Sequence, residues 1–399
     1  MTGQNATPTM PHPASTHSDS DKFLATVISL GPLVRRNAEG NEAAGQIADE
    51  VIDALHETGA FGMWVPRELG GAELDPVRSL ELLEAISYHD ASTGWVLMAA
   101  AVAIGAAGAF LPDPTVEKLF SGERFPVITG QGTRPGKAVA TDGGYRLSGN
   151  WNFASGIKHS QWIHTGAAAE GQPMKICIVP VSDATLDDDW DVLGLRATGS
   201  IDYSISDVFV PDAFTHDALA DNPLRGGGLY HLSAVGIAMI GHTAWALGVT
   251  RRLLDELSAL AREKTGRPGQ LVDSDSFHAG FARAEARARS ARALAYERWA
   301  AVTAALDAGQ RPTAREQSLL RLAMHNATWA AEEVAVFVYS SAGTTALRTG
   351  TIQRVFRDVH GGTQHITSGP AVLQNAGKEL AGLAPDSKWA AWSLIPADS

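Results

Sequence analysis

The chain has 399 residues, 45% of them hydrophobic and 19% charged, and a formal net charge of −12. That balance fits a globular protein with a large core, and without a basic run nucleic acid is not an expected partner. The single cysteine, Cys177, excludes an internal disulfide and fits a reducing cytoplasm.

Residues 1–20 are rich in Thr, Pro, Ser, His and Asn and hold no apolar segment. They are expected to form a disordered tail and not a signal peptide. From 21 to 122 the pattern is helical. Within residues 43–55, Ile47, Val51, Ile52 and Leu55 fall on one helix face, and Thr58-Gly59 follows as a stop. Residues 77–88 repeat the pattern with Leu80, Leu82, Leu83 and Ile86. The run 95–111 is nearly as long as the roughly 20 residues that cross a bilayer. It is mostly Ala and Gly and has no close Lys or Arg flank, so it predicts a helix buried on all sides and no membrane span.

From 123 to 215 short apolar or alternating runs appear at 145–147, 162–164, 175–179 and 203–210. Asp142-Gly143-Gly144 and Ser148-Gly149-Asn150 punctuate them. These are the marks of a compact antiparallel β domain. Residues 226–399, after the Gly226-Gly227-Gly228 linker, return to helix over 229–264, 277–307, 314–341 and 370–380. Long helices with short connections predict an antiparallel four-helix bundle. The fold class is therefore α+β: an N-terminal helical domain, a central antiparallel β domain and a C-terminal four-helix bundle.

Two segments carry chemistry: Trp151-Asn152-Phe153-Ala154-Ser155-Gly156, and Arg357-Asp358-Val359-His360-Gly361-Gly362-Thr363-Gln364-His365-Ile366. Three others keep step with them. They are the turn from Gly59 through Pro66 to Gly70-Gly71, the strand Leu193-Gly194-Leu195-Arg196-Ala197-Thr198-Gly199-Ser200, and Asp207-Val208-Phe209-Val210-Pro211. In this order and spacing they resemble the acyl-CoA dehydrogenase superfamily over about residues 25–385. Counted from the Arg-Asp pair, the family's tyrosine falls on His365 and its glutamate on Ile366. Aligning the Gly-Thr pairs moves the glutamate to Gly361. Neither register supplies a carboxylate, so the site lacks the base that removes a proton beside a thioester.

Phe-x-Ser-Gly followed by histidine resembles the oxygenase branch, the two-component flavin monooxygenases that act on phenols, thiophenes or amino sugars. The resemblance implies an oxygenase component that takes reduced FMN or FAD and O2. It would hydroxylate an aromatic, phenolic or other electron-rich small molecule through a flavin 4a-hydroperoxide. It also implies a separate NAD(P)H:flavin reductase, a homotetramer and a cytoplasmic location. The alternative is a dehydrogenase-like desaturase with a relocated base. Residues 229–238, on the first bundle helix, hold no acid, which weakens it.

The same resemblance assigns roles. His365 and Ser155 are catalytic; Ser155 donates to flavin nitrogen 5 or holds the peroxide, and His365 activates a phenol or tunes the peroxide. Gln131, Gly132, Trp151, Phe153, Ser155, Arg262 and Gly343 hold the cofactor, with Gly343 reaching that of a neighbouring subunit. Arg262 stands four before Gly266, where Thr265 replaces the family's aromatic residue. His89 and Trp95, on one helix over 88–98, line the substrate pocket with His360. No metal is expected, since His360 and His365 are five apart and no H-E-x-x-H occurs. Nor does a G-x-G-x-x-G open a helix after a strand.

A rival reading comes from Ser155-Gly156-Ile157-Lys158 and Lys264-Thr265-Gly266, which evoke serine hydrolases of the penicillin-binding type. There the serine opens a helix and K-T-G lies on a strand; here Ser155 follows a β run and Lys264 ends a helix. A flavin binder without catalysis is opposed by the Ser155 and His365 pair.

Overall fold

A computed structural model describes residues 17–263 and 270–398. The helical beginning comprises α1 (His17–Ile28), α2 (Gly31–Ala44), α3 (Asp49–Glu57), α4 (Pro76–His89), α5 (Ala91–Phe110) and α6 (Asp113–Leu119). Residues 17–20, assigned by composition to the tail, already belong to α1. An acid in its first turn, Asp19, suits the positive end of a helix. The rest of the tail lies outside the described residues.

Two helical boundaries differ from the sequence expectation. The 43–55 run is split because Gly45 takes a left-handed φ of 66° and caps α2. Asn41 Oδ1 then accepts from the Ala48 amide at 2.9 Å and closes the corner before α3 begins. The 88–98 run is split at Asp90, which leaves helical geometry and caps α5 by accepting from Thr93 N at 2.9 Å and Thr93 Oγ1 at 2.7 Å. His89 and Trp95 therefore sit on different helices.

As expected, α5 is buried on nearly every side. Its small residues permit close approach. A Cβ at Gly105 would lie 2.5 Å from the Trp64 carbonyl oxygen.

The sheet holds β1 (Ile128–Thr141), β2 (Gly144–Trp151), β3 (Trp162–Ala169), β4 (Lys175–Pro180), β5 (Thr185–Asp187), β6 (Asp202–Pro211) and β7 (Thr215–Asp217), in the order β5-β6-β2-β1-β3-β4-β7. It is mixed and not wholly antiparallel. β1 and β2 form a hairpin, but β3 runs parallel to β1, with Ile128 opposite Trp162. The reason is a crossover: residues 152–161 carry the chain from the end of β2 back to the start of β1, and Ser155 lies on that crossover. Alternation then separates two faces. Cys177 and Val179 join Leu147, Trp151 and Tyr203 in a core of the sheet's own, while Ile176 and Ile178 join the helical core. Burial pushes the Cys177 thiol up to about 12.

The last third contains α7 (Ser233–Glu263), α8 (Asp275–Asp307), α9 (Ala314–Ala342), α10 (Thr344–Leu347), α11 (Thr351–Gly362) and α12 (Pro370–Leu380). Three long helices and the shorter α12 make the bundle, and α4 also packs along α7. A C-terminal hairpin, β8 (Ser387–Ala390) and β9 (Ser393–Pro396), lacks a signal in the sequence reading. It docks on α9 through Trp389 Nε1 donating to Ser318 Oγ at 2.9 Å and Arg321 donating to the Ala391 carbonyl at 2.6 Å.

Candidate active site

A cavity of about 900 Å³ lies between α5, α7, the sheet and the segment after α11. That is the size of a site for a small molecule or cofactor. Trp95, Ser155, His242, His360 and His365 face it, together with Gln131, Gly132 and Phe153. Among the described residues lining it, none is Asp, Glu, Lys or Arg.

Ser155 belongs to a hydroxyl relay whose direction is fixed by its two ends. Thr198 Oγ1 donates to the Leu195 carbonyl at 2.8 Å, and a hydroxyl has one proton to give. Ser200 therefore donates to Thr198 at 2.6 Å, and Ser155 donates to Ser200 at 2.7 Å. At the other end Trp95 Nε1 donates to Ser155 Oγ at 3.2 Å. The proton of Ser155 is thus committed inward. Toward the cavity this hydroxyl presents an acceptor, the reverse of the donor role expected from sequence.

Near the relay stands a group of rings. Trp95 meets His242 and His365 edge-on at 5.0 and 5.5 Å, and the two imidazoles stack at 4.2 Å. Burial pushes His365 down to about 4, and burial followed by the neighbouring His365 holds His242 well below the usual imidazole range. Both rings are neutral at pH 7. Thr367 settles the tautomer of His365: its backbone amide donates to Nδ1 at 3.4 Å and its hydroxyl lies 2.9 Å away. With Nδ1 accepting, the proton sits on Nε2, so His365 is a donor and not a ready base.

The Arg357-Asp358 pair does not face the cavity; it fixes a loop that does. Arg357 donates to the Leu193 carbonyl at 3.0 Å and pairs with Glu42, and Asp358 Oδ1 accepts from the Leu195 amide at 2.6 Å. Asp358 Oδ2 is buried without a partner among the described residues. Burial first, then the nearby Asp90 and Glu42, push the Asp358 carboxyl up to about 7.

The remaining predicted residues divide. Phe153 lines the cavity in a left-handed backbone conformation, φ 64°, and the residue is 59% exposed. A bulky residue there is strained, as is common at binding sites. Trp151 does not reach the cavity. It points to the opposite face of the sheet, stacked on Tyr203 at 5.3 Å and donating to the Gly166 carbonyl. Asn152 and Phe153, beyond the strand end, take its place in the wall. His89 is also absent from the wall; it packs against Gly31, and burial with Arg35 and Arg252 holds it at about 4. His360 lines the wall while its Nδ1 bonds the Phe356 carbonyl and its Nε2 lies 3.8 Å from Glu332. Arg262 bonds Ser258 on its own helix, and neither it nor Gly343 is a wall residue of this chain's cavity.

The hydrolase reading fails on geometry. Lys158 pairs with Asp188 at 2.8 Å and Ser155 opens no α-helix, while Lys264-Thr265-Gly266 lies outside the described residues. Among the described residues, no three His, Cys, Asp or Glu side chains converge as a metal site would require.

Sequence reading missed Asn152, quoted without a role, and three residues more distant in the chain. His242 is an uncharged polar group in an apolar helical run, and that is the signal that marks it. Ser200 stood in a quoted segment without a role. Trp392, brought to the wall by the C-terminal hairpin, has no local signal.

A flavin ring fits these residues. It is flat, largely apolar and hydrogen-bonds at its edges. The cavity offers aromatic and glycine walls, an acceptor at Ser155 and a donor at His365.

Comparison with known proteins agrees. The family models for the acyl-CoA dehydrogenase N-terminal and C-terminal domains match residues 30–110 and 240–369. Indole-3-acetate monooxygenase of Pseudomonas putida is 30% identical over 347 residues, covering 85% of this chain and 88% of that protein. The HsaA oxygenase subunit of a flavin-dependent monooxygenase from Mycobacterium tuberculosis (strain CDC 1551 / Oshkosh) is 26% identical over 380 residues, 88% of this chain and 93% of that one. The crystal structure of 3-HSA hydroxylase from Rhodococcus sp. RHA1 superposes with a TM-score of 0.84 at 26% identity, over 92% of this chain and 98% of that one. The chain belongs to the acyl-CoA dehydrogenase family, in its branch of flavin-dependent monooxygenases.

Proposed function

We propose that this chain is an oxygenase component that inserts one atom of O2 into an aromatic, phenolic substrate, with FMN or FAD reduced by a separate NAD(P)H:flavin reductase. The observation that carries it is a cavity with a serine acceptor, an imidazole donor and no carboxylate among its described walls. A desaturase needs a base over the substrate's α-carbon, and no carboxylate stands in the wall among the described residues.

Reduced flavin, when bound, supplies two electrons. With two more from the substrate's C–H bond they reduce O2, so one oxygen enters as hydroxyl and the other leaves as water. The protein's own groups orient and shield. Asn152, Phe153 and Ser155, with Gln131 and Gly132, would hold the ring, to which Ser155 would offer a hydrogen-bond acceptor. Nε2–H of His365 donates to oxygen, either of dioxygen or of the substrate. His242 takes the phenol hydroxyl as a hydrogen bond. The gap between a phenol near 10 and this depressed imidazole is too wide for a full proton transfer beforehand. Trp95 and the aliphatic walls keep water out.

Arg262 and Gly343 then serve a cofactor shared across subunits of a cytoplasmic homotetramer. Exposed apolar side chains on α9, Trp329 and Val336, support association through the bundle.

The test supplies chemically reduced FMN or FAD, a set of phenols and 18O2, and follows the label by mass spectrometry. One labelled oxygen in the hydroxylated product is expected. Product oxygen drawn from water, or desaturation of an acyl thioester in its place, would reject the proposal.

A further inference from the structure

Among the described residues, one wall residue of the cavity comes from the chain beyond Ile366. It is Trp392, carried in by the C-terminal hairpin. The other walls belong to α5, α7, the sheet and the segment after α11, which are rooted in the core. The hairpin is built differently. Two strands of four residues each have little stability of their own, so contacts with the bundle must hold them.

Trp392 stands in a two-residue turn. Ala390 pairs with Ser393 across the strands, and Ala391 and Trp392 make the connection. Ala391 takes a left-handed φ of 49°, a conformation that glycine fills at lower cost. Arg321 of α9 holds this turn. Its guanidinium donates to the Ala391 carbonyl at 2.6 Å and lies 4.0 Å from the centre of the Trp389 ring. On the other strand the Leu394 amide donates to Asn375 Oδ1 of α12 at 3.3 Å.

Arg321 is a costly anchor. It is 3% exposed, its Nε has no partner among the described residues, and burial pulls the guanidinium down to about 9. A buried cation is ordinarily answered by a carboxylate. Here it meets the Gln317 and Ala391 carbonyls and the face of a ring. Docking the hairpin therefore takes water from a charge, and lifting it gives that water back. The docked state is held by a small difference between opposed contributions. Residues 381–386, which join the hairpin to α12, are largely exposed, and Gly382 and Asp386 are left-handed at φ 73° and 56°.

We propose that this hairpin is a closable wall of the cavity: Arg321 is the positioning residue that seats its turn, and Trp392 on that turn shuts water out when docked and opens a way in when the turn lifts. This rests on the reading of the cavity as a site of oxygenation. Where water reaches such a site, the two electrons of reduced flavin and two protons convert O2 to hydrogen peroxide, and the substrate stays unoxidised.

Two measurements on the full-length protein test it. The first, hydrogen–deuterium exchange read by mass spectrometry, uses no flavin. Peptides over 387–396 should exchange at least about tenfold faster than those over 320–335 of α9, the mark of local opening. Trp389→Ala removes the ring on Arg321 and the bond to Ser318, and should speed the hairpin about tenfold further while α9 stays unchanged. The second supplies chemically reduced FMN or FAD, O2 and a set of phenols, and counts hydrogen peroxide against hydroxylated product. Trp392→Ala should raise the peroxide share at least about threefold, and Trp392→Phe should bring it back toward wild type. A share, unlike a rate, does not change when part of the protein is merely unfolded. A hairpin that exchanges in step with α9 in wild type and Trp389→Ala overturns the proposal, because the wall is then fixed. So does an unchanged peroxide share in Trp392→Ala. Wild-type protein that gives peroxide and no hydroxylated phenol would instead remove the oxygenase reading, while the exchange result would still decide whether the hairpin moves.

Discussion

The two ends of the cavity differ in how their polar atoms are answered. At the end of Ser155 and His365 every hydroxyl of the relay has its partners, and Thr367 fixes the imidazole. At the end of His164 the ring Nδ1 is buried and has none among the described residues. The first end is preorganised for a reaction that is the same for every substrate. The second keeps its unpaired nitrogen buried behind the cavity wall.

The sharpest way to break this comparison is to remove the donor at the reacting end. His365→Ala should lower single-turnover product formation about a hundredfold or more, the scale of one positioned proton donor. His89→Ala, on a ring that packs against Gly31 outside the cavity, should leave turnover of the folded protein near the wild-type rate. Equal rates for wild type and both variants would remove His365 from the chemistry.

How much of this was legible beforehand follows from how local each signal is. Ser155 and His365 stand in short segments whose residue order carries the resemblance, and both reach the cavity. The buried face of Ile47, Val51, Ile52 and Leu55 followed from spacing alone. The break at Gly45 did not, because helical spacing continues across a corner that one left-handed residue turns. Trp151 shows the limit of a motif. Adjacency in sequence could not tell which face of a strand each side chain takes at the point where the strand ends. The parallel pairing of β1 with β3, the stacking of His242 on His365 and the arrival of Trp392 are set by contacts between distant segments. No local pattern encodes them.

A smaller effect separates the cavity from its support. The Asp358 carboxyl has a native value of about 7, far above the ordinary range. The sign follows. Below about pH 4 both folded and unfolded chains hold the proton, and the contribution to stability is intact. As pH rises through 7 the unfolded chain has already released its proton and the folded one must ionise a buried group, so stability falls. Asp358→Asn keeps an acceptor for the Leu195 amide and removes that charge. The variant should exceed the wild type by about 1–3 kcal/mol in urea unfolding at pH 8, with the gap closing toward pH 5. A less stable variant at pH 8 would mean that Arg354 and Arg357 hold the carboxylate ionised.

The smallest effect sharpens the reacting end itself. In the relay the single proton of Ser155 goes to Ser200, because Ser200 must give its own to Thr198 and Thr198 gives its own to the Leu195 carbonyl. An acceptor at Ser155 suits a reduced flavin, which has ring N–H groups to offer. It opposes an oxidised flavin, which there presents a bare nitrogen. Ser200→Ala frees the Ser155 proton to turn toward the cavity. Oxidised flavin should then bind about fivefold more tightly relative to reduced flavin, the worth of one neutral hydrogen bond. Equilibrium dialysis under air and under anaerobic dithionite gives the two affinities. The stability cost of the substitution enters both measurements alike and cancels in their ratio. An unchanged ratio would show that Ser155 does not meet the ring edge whose protonation changes. The discrimination between redox states would then have to come from elsewhere in the wall.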